Sequence, residues 1–170
     1  MYEDSTKREW IRNRKPLRVI QTNLQIRDTP RMDPEKLAQD IVALGGDALV
    51  MNVGGIYAWY PTRVEGHTEN PFLPQGHDLL AEIIAACHRN GLLLFARFDF
   101  SKADDSVFLR HPDWFVRDAA NKHRLIGAER PGEWSLLALT CLNAPYRNEA
   151  VAIPVLREVM NRYPIDAVFL

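Results

Sequence analysis

No run of apolar residues in this 170-residue chain approaches the ~18 that a membrane-spanning helix needs. The opening stretch, Met1 to Lys15, is polar and lacks the apolar segment of a signal peptide. Cysteine is scarce, and neither Cys87 nor Cys141 has a partner at metal-ligand spacing. Cys87 falls on a helix face with Leu80, Ile83 and Ile84, and Cys141 in the apolar run Leu136 to Leu142, so both read as core residues in a reducing compartment. Charge of one sign is lacking too. Lys and Arg number 21 against 22 Asp and Glu, a net charge of −1, which leaves no electrostatic case for nucleic acid or an anionic membrane. The basic cluster Lys7, Arg8, Arg12, Arg14 and Lys15 is short and reads as a solvated N-terminal arm over residues 1–16. The chain has no P-loop, nucleophile elbow, serine triad or metal-ligand cluster, so neither a metal nor another cofactor is expected. His67-Thr68-Glu69 matches the H-x-E of zinc deaminases, but no P-C-x-x-C follows it. These absences point to a cytoplasmic globular protein, with 46% apolar and 25% charged residues and length enough for one core.

What is present is an alternation of strand and helix patterns. Leu17 to Leu24 reads as a strand. Asp33-Pro34 then supplies an N-cap and a first-turn proline for a helix through Leu37, Ala38, Ile41, Val42 and Leu44, ended by Gly45-Gly46. Ala48 to Val53 is a continuous apolar strand, as expected where both faces are covered. A long loop from Gly54 to Gly76 follows. Its aromatics, Tyr57, Trp59, Tyr60 and Phe72, argue against disorder. A second helix carries Leu79, Leu80, Ile83, Ile84 and Cys87, with His77 and Asp78 at its start, His88 at an exposed end and Asn90-Gly91 as the stop. Leu92 to Phe98 is the third strand. Ser101 to Leu139 reads as irregular, with a short helix near Asp105 to Arg110. Asn148 to Arg162 is helical, with Pro154 kinking it or moving its start later. Asp166 to Leu170 reads as a fourth strand, after which a barrel loop would be expected.

Strands and helices in this order mean parallel pairing with right-handed crossovers. An open doubly wound sheet and a (β/α)8 barrel compete. Asn23-Leu24-Gln25-Ile26-Arg27 is not the Gly-rich turn of the open sheet, and long polar and aromatic loops suit a barrel mouth better. The α/β fold expected is therefore the N-terminal half, about four βα units, of a (β/α)8 TIM barrel over residues 17–170.

In such a barrel the reacting groups sit just after the strand ends. Arg97 and Asp99 lie on one side of the third strand, opposite Ala96, Phe98 and Phe100. They either contact a ligand, or form a buried ion pair or satisfy loop backbone. Lys102 is the one lysine near a strand end. Asn52 closes the second strand, where its amide suits a sugar hydroxyl, and Gly54-Gly55 permits close backbone approach. Tyr57, Trp59 and Tyr60 suit the apolar face of a sugar ring, or else anchor the loop. His67 belongs to that loop, and Asn143 and Tyr146 fall near the same mouth. His111-Pro112-Asp113-Trp114 reads as a packed turn. Asp99 is the single carboxylate at a convincing strand end and the candidate catalytic group.

Several stretches taken in order resemble a family of hypothetical glycosyl hydrolases, related to the barrel regions of α-L-fucosidase-like and β-galactosidase-like enzymes. They are Arg18 to Leu24, Asn52 to Ile56 with Tyr60-Pro61, Ala96 to Lys102, His111 to Trp114, Asn143 to Tyr146 and Arg162 to Asp166. The resemblance implies a (β/α)8 barrel, a carbohydrate substrate and glycosidic bond hydrolysis, with the family's chain running on past the fourth strand. Hydrolysis needs two carboxyl groups, and the second is expected beyond Leu170. Three readings follow: a partial catalytic barrel that supplies sugar-binding residues, a non-catalytic carbohydrate-binding half-barrel, and an isomerase or aldolase barrel that would lean on Lys102. A four-stranded half-barrel also leaves open edges, so self-association is expected.

Overall fold

The computed structural model describes residues 16–123, 125–126 and 137–170. All but one residue of the expected N-terminal arm lies outside the described residues. Among them, seven strands run in chain order: β1 (Val19–Gln21), β2 (Ala48–Gly55), β3 (Leu93–Asp99), β4 (Lys102–Ala103), β5 (Leu125–Ile126), β6 (Leu137–Leu139) and β7 (Ala167–Phe169). Four of them pair in parallel in the order β1-β2-β3-β7, and β4-β6-β5 form a small antiparallel sheet. The helices are α1 (Pro34–Ala43), α2 (Leu79–Arg89), α3 (Asp105–Arg110) and α4 (Ala152–Arg162).

The helices start where their caps dictate. The Asp33 carboxylate accepts the Lys36 N–H with Pro34 in the first turn, and Asp78 accepts the Ala81 N–H. Pro154 acts by moving the start of α4 to Ala152, because a first-turn proline sacrifices no intrahelical bond. The first strand is shorter than its apolar pattern suggests, covering Val19–Gln21.

Alternation along β3 is strict. Leu94, Ala96 and Phe98 are buried, while Leu93, Phe95, Arg97 and Asp99 are half-buried. The buried set, with Leu49, Met51 and Val53 of β2, packs under Ile41 of α1, Leu80 and Ile83 of α2, and Val155 and Val159 of α4. The core therefore lies on one face of the parallel sheet, and Arg97 and Asp99 stand on the other.

The two partners of Asp166 show how the lower end is closed. His88 is not an exposed helix end: its side chain is 11% exposed and pairs with Asp166 at 2.9 Å. Asp166 Oδ2 also accepts the Leu94 N–H, tying the entry to β7 against β3. Of the cysteines, Cys87 is fully buried, with burial pushing its thiol up to about 12, and Cys141 is half-buried. Among the described residues no helix is long and apolar enough to cross a membrane.

Candidate active site

Asn52, Arg97 and Asp99 are placed by the ends of β2 and β3. Residues of β2 and β3 pair in steady register up to Asn52↔Arg97, and then Val53 is skipped so that Gly54 faces Phe98 and Gly55 faces Asp99. This bulge brings two strand ends together where the loops begin, a common arrangement beside functional sites. Gly55 is required there: its φ is +113°, and a Cβ would lie 2.1 Å from the Asp99 carbonyl oxygen.

A pocket of about 280 Å³ opens over this junction, just below the ~300–1,000 Å³ typical of small-molecule sites. Asn52, Arg97, Asp99 and Lys102 are among its polar residues, and the half-buried Tyr57 and the buried Trp59 belong to the same lining. Arg97 Nη1 donates to Asn52 Oδ1 at 3.0 Å. Arg97 and Asp99 therefore do not form the direct ion pair that strand alternation also allowed. Asp99 Oδ1 instead accepts from the Ser101 N–H at 3.0 Å and from the Ser101 hydroxyl. Burial alone would raise the Asp99 carboxyl. The two Ser101 bonds, with the charges of Lys102 and Arg97, hold it below the usual carboxylate range. Such a group stays ionised and accepts hydrogen bonds; it is a poor proton donor near neutral pH.

Four other candidates fall outside the pocket lining. Tyr60 is wholly buried, and its hydroxyl donates to Glu158 Oε2 at 2.9 Å, where burial and the neighbouring carboxylate raise its pKa. Glu158 on α4 also takes the Thr62 hydroxyl, the Arg63 N–H and Arg162 Nη1, so Tyr60 anchors the loop. His67 and Tyr146 sit one layer behind the mouth. His67 Nε2 accepts the Gly55 N–H at 3.3 Å, and the Tyr146 hydroxyl donates to the Gly55 carbonyl at 3.3 Å. His67 is 5% exposed, and burial pushes it down to about 4, so its ring is neutral. Asn143 is exposed and stands apart from the pocket. His111 stacks on Trp114 at 3.8 Å, the packed turn that the sequence suggests.

Asn23, Leu24, Gln25 and Ile26 also line the pocket, from the loop after β1. Sequence reading passed over them because that segment was weighed only as a nucleotide-binding turn. Its position after the first strand of a barrel was the available signal. The loop after β2 is held beside it by Asn70 Nδ2, which donates to the Ile26 carbonyl at 3.1 Å, and by the Thr29 hydroxyl, which donates to the Phe72 carbonyl at 2.9 Å. Among the described residues no group of three His, Cys, Asp or Glu side chains is arranged to hold a metal ion.

The fold recurs in solved glycosidases. An α-L-fucosidase isoenzyme 2 from Paenibacillus thiaminolyticus superposes with a TM-score of 0.67 at 23% identity, over 92% of this chain and 23% of that one. An α-galactosidase from Thermus thermophilus, in complex with stachyose, gives 0.54 at 19% identity over 86% of this chain and 30% of that one. A maltogenic α-amylase from Thermotoga neapolitana gives 0.55 at 12% identity over 89% and 38%. At these identities the likeness is one of fold: the chain folds as part of a TIM barrel, and it spans less than two fifths of each of those chains. No curated protein matches the sequence. The family model described as hypothetical glycosyl hydrolase 6 matches residues 33–170, most of the chain and every residue of the pocket beyond the β1 loop, and the chain belongs to that family.

Proposed function

We propose that this chain supplies part of the sugar-binding mouth of a glycoside hydrolase. The observation that carries the reading is the meeting, in one pocket, of polar strand ends with two aromatic rings: Asn52, Arg97 and Asp99 beside Tyr57 and Trp59. Sugars present apolar C–H faces that pack on rings and hydroxyls that seek amide, guanidinium and carboxylate partners. Asp99, held ionised by Ser101, accepts a sugar hydroxyl and stabilises positive charge developing at the anomeric carbon. A partner carboxyl would supply the acid.

Calorimetry with α-L-fucose and galactose, chosen from the enzymes that share the fold, tests the site. Arg97→Ala and Asp99→Asn are each expected to weaken binding at least tenfold, about 1.4 kcal/mol. Unchanged affinity in both variants would remove these residues from the site. A second reading, carbohydrate binding without catalysis, is favoured by Asp99 being the one carboxylate lining the pocket among the described residues. Release of p-nitrophenol from the matching aryl glycosides separates the two, since the second reading expects binding with no turnover.

A further inference from the structure

The charged residues lining the pocket are Arg97, Lys102 and Asp99, two cations against one carboxylate. The carboxylate is turned toward its own loop by the Ser101 N–H and hydroxyl. Arg97 gives Nη1 to Asn52, and its Nε and Nη2 edge carries no hydrogen bond among the described residues. Lys102 is half-buried, and among the described residues its ammonium has neither a hydrogen bond nor an ion pair. Elsewhere four of the chain's lysines and arginines sit in ion pairs: Arg18 with Asp47, Lys36 with Asp40, Arg89 with Glu35, Arg162 with Glu158. Those first three pairs are largely solvated. The two cations of the pocket are half-buried, and among the described residues neither has an acid within ion-pair distance.

Two cations partly out of water with a single carboxylate beside them leave positive charge in excess, and a concave wall concentrates that field on whatever enters. A neutral sugar offers hydroxyls, which satisfy donors without balancing charge. An anionic sugar does both. A carboxylate is planar and matches the open edge of a guanidinium in a two-bond fork, while the ammonium supplies a point charge beside it. Resting on the sugar-site reading above, we propose that the pocket is selective for an anionic sugar residue, a hexuronate in preference to its neutral counterpart. The ring packs on the half-buried Tyr57, and the acid group lies between Arg97 and Lys102.

The test is calorimetry on the full chain with methyl galacturonoside, methyl galactoside and galactose 6-sulfate, each at low and moderate salt. The uronoside is expected to bind at least tenfold tighter than the neutral glycoside, with the gap narrowing as salt rises. Lys102→Met, which keeps the aliphatic stem, is expected to reduce the preference to within threefold, and Lys102→Arg to restore it. If the sulfated sugar binds and the uronoside does not, sulfate rather than carboxylate is the recognised anion, and the hexuronate assignment falls. Equal affinity for neutral and anionic sugars overturns this inference while leaving the sugar site intact. Binding of none of the three, with no binding of α-L-fucose either, overturns both.

Discussion

A neutral imidazole at His67 is what allows the Gly55 N–H to be satisfied, because a protonated ring has no lone pair at Nε2 to accept it. Burial lowers this group to about 4, against the pull of Glu158 and Asp104. Between the ordinary histidine range and that value the unfolded chain takes up a proton that the folded chain refuses. Stability is therefore unaffected by His67 above about pH 6.5 and falls as pH drops toward 4, by at most ~1.4 kcal/mol per pH unit. Urea midpoints at several pH values check this. His67→Gln, which keeps an acceptor and cannot titrate, is expected to give a flatter profile over the same interval, and identical slopes would exclude the assignment. At this scale the sequence was informative about chemistry and weaker about depth. Arg97 and Asp99 could be placed from strand alternation, because period two leaves few choices, and Asn52 and Lys102 from their nearness to strand ends. Tyr60, His67 and Tyr146 could not, since whether a loop side chain faces a mouth or lies behind it is decided by partners distant in sequence, such as Glu158 and Gly55.

Strand β7 has three residues and is held by few bonds of its own, so its entry depends on Asp166. That carboxylate takes both the Leu94 N–H and His88 Nε2 while its side chain is 3% exposed. Asp166→Ala leaves these donors without that acceptor, and a loss of about 1–3 kcal/mol is expected in urea unfolding. Amide exchange is expected to speed up in β7 and leave the β1–β2 pairing unchanged; equal acceleration in both would show that Asp166 acts globally. Elements were the most legible level of this sequence. Asp33-Pro34 and Asn90-Gly91 marked helix ends with local chemistry, and the helix near Asp105 was visible from its pattern. The antiparallel sheet β4-β6-β5 was not, because strands of two or three residues carry too few positions to show a period.

On the scale of the molecule, the parallel sheet has edges at β1 and β7, with Val19 at 44%, Phe169 at 46% and Leu170 at 77% exposure. Apolar edge residues beside unpaired backbone favour strand-to-strand contact between copies. Light scattering of the 170-residue chain is expected to give a mass that rises with concentration above that of one chain, and a constant monomer mass would exclude edge pairing. The barrel architecture was readable from the order of strands and long loops, because covalent order and right-handed crossovers leave few topologies. The sheet's two faces have a further consequence. A one-residue slip of β3 against β2 would carry Arg97 and Asp99 beneath α2, among Leu80 and Ile83, and lift Ala96 and Phe98 into water. Burying two ionised groups in that layer is prohibitively unfavourable. The charges that make the mouth thus also act as a spelling check during folding, rejecting the misaligned sheet before any ligand is met.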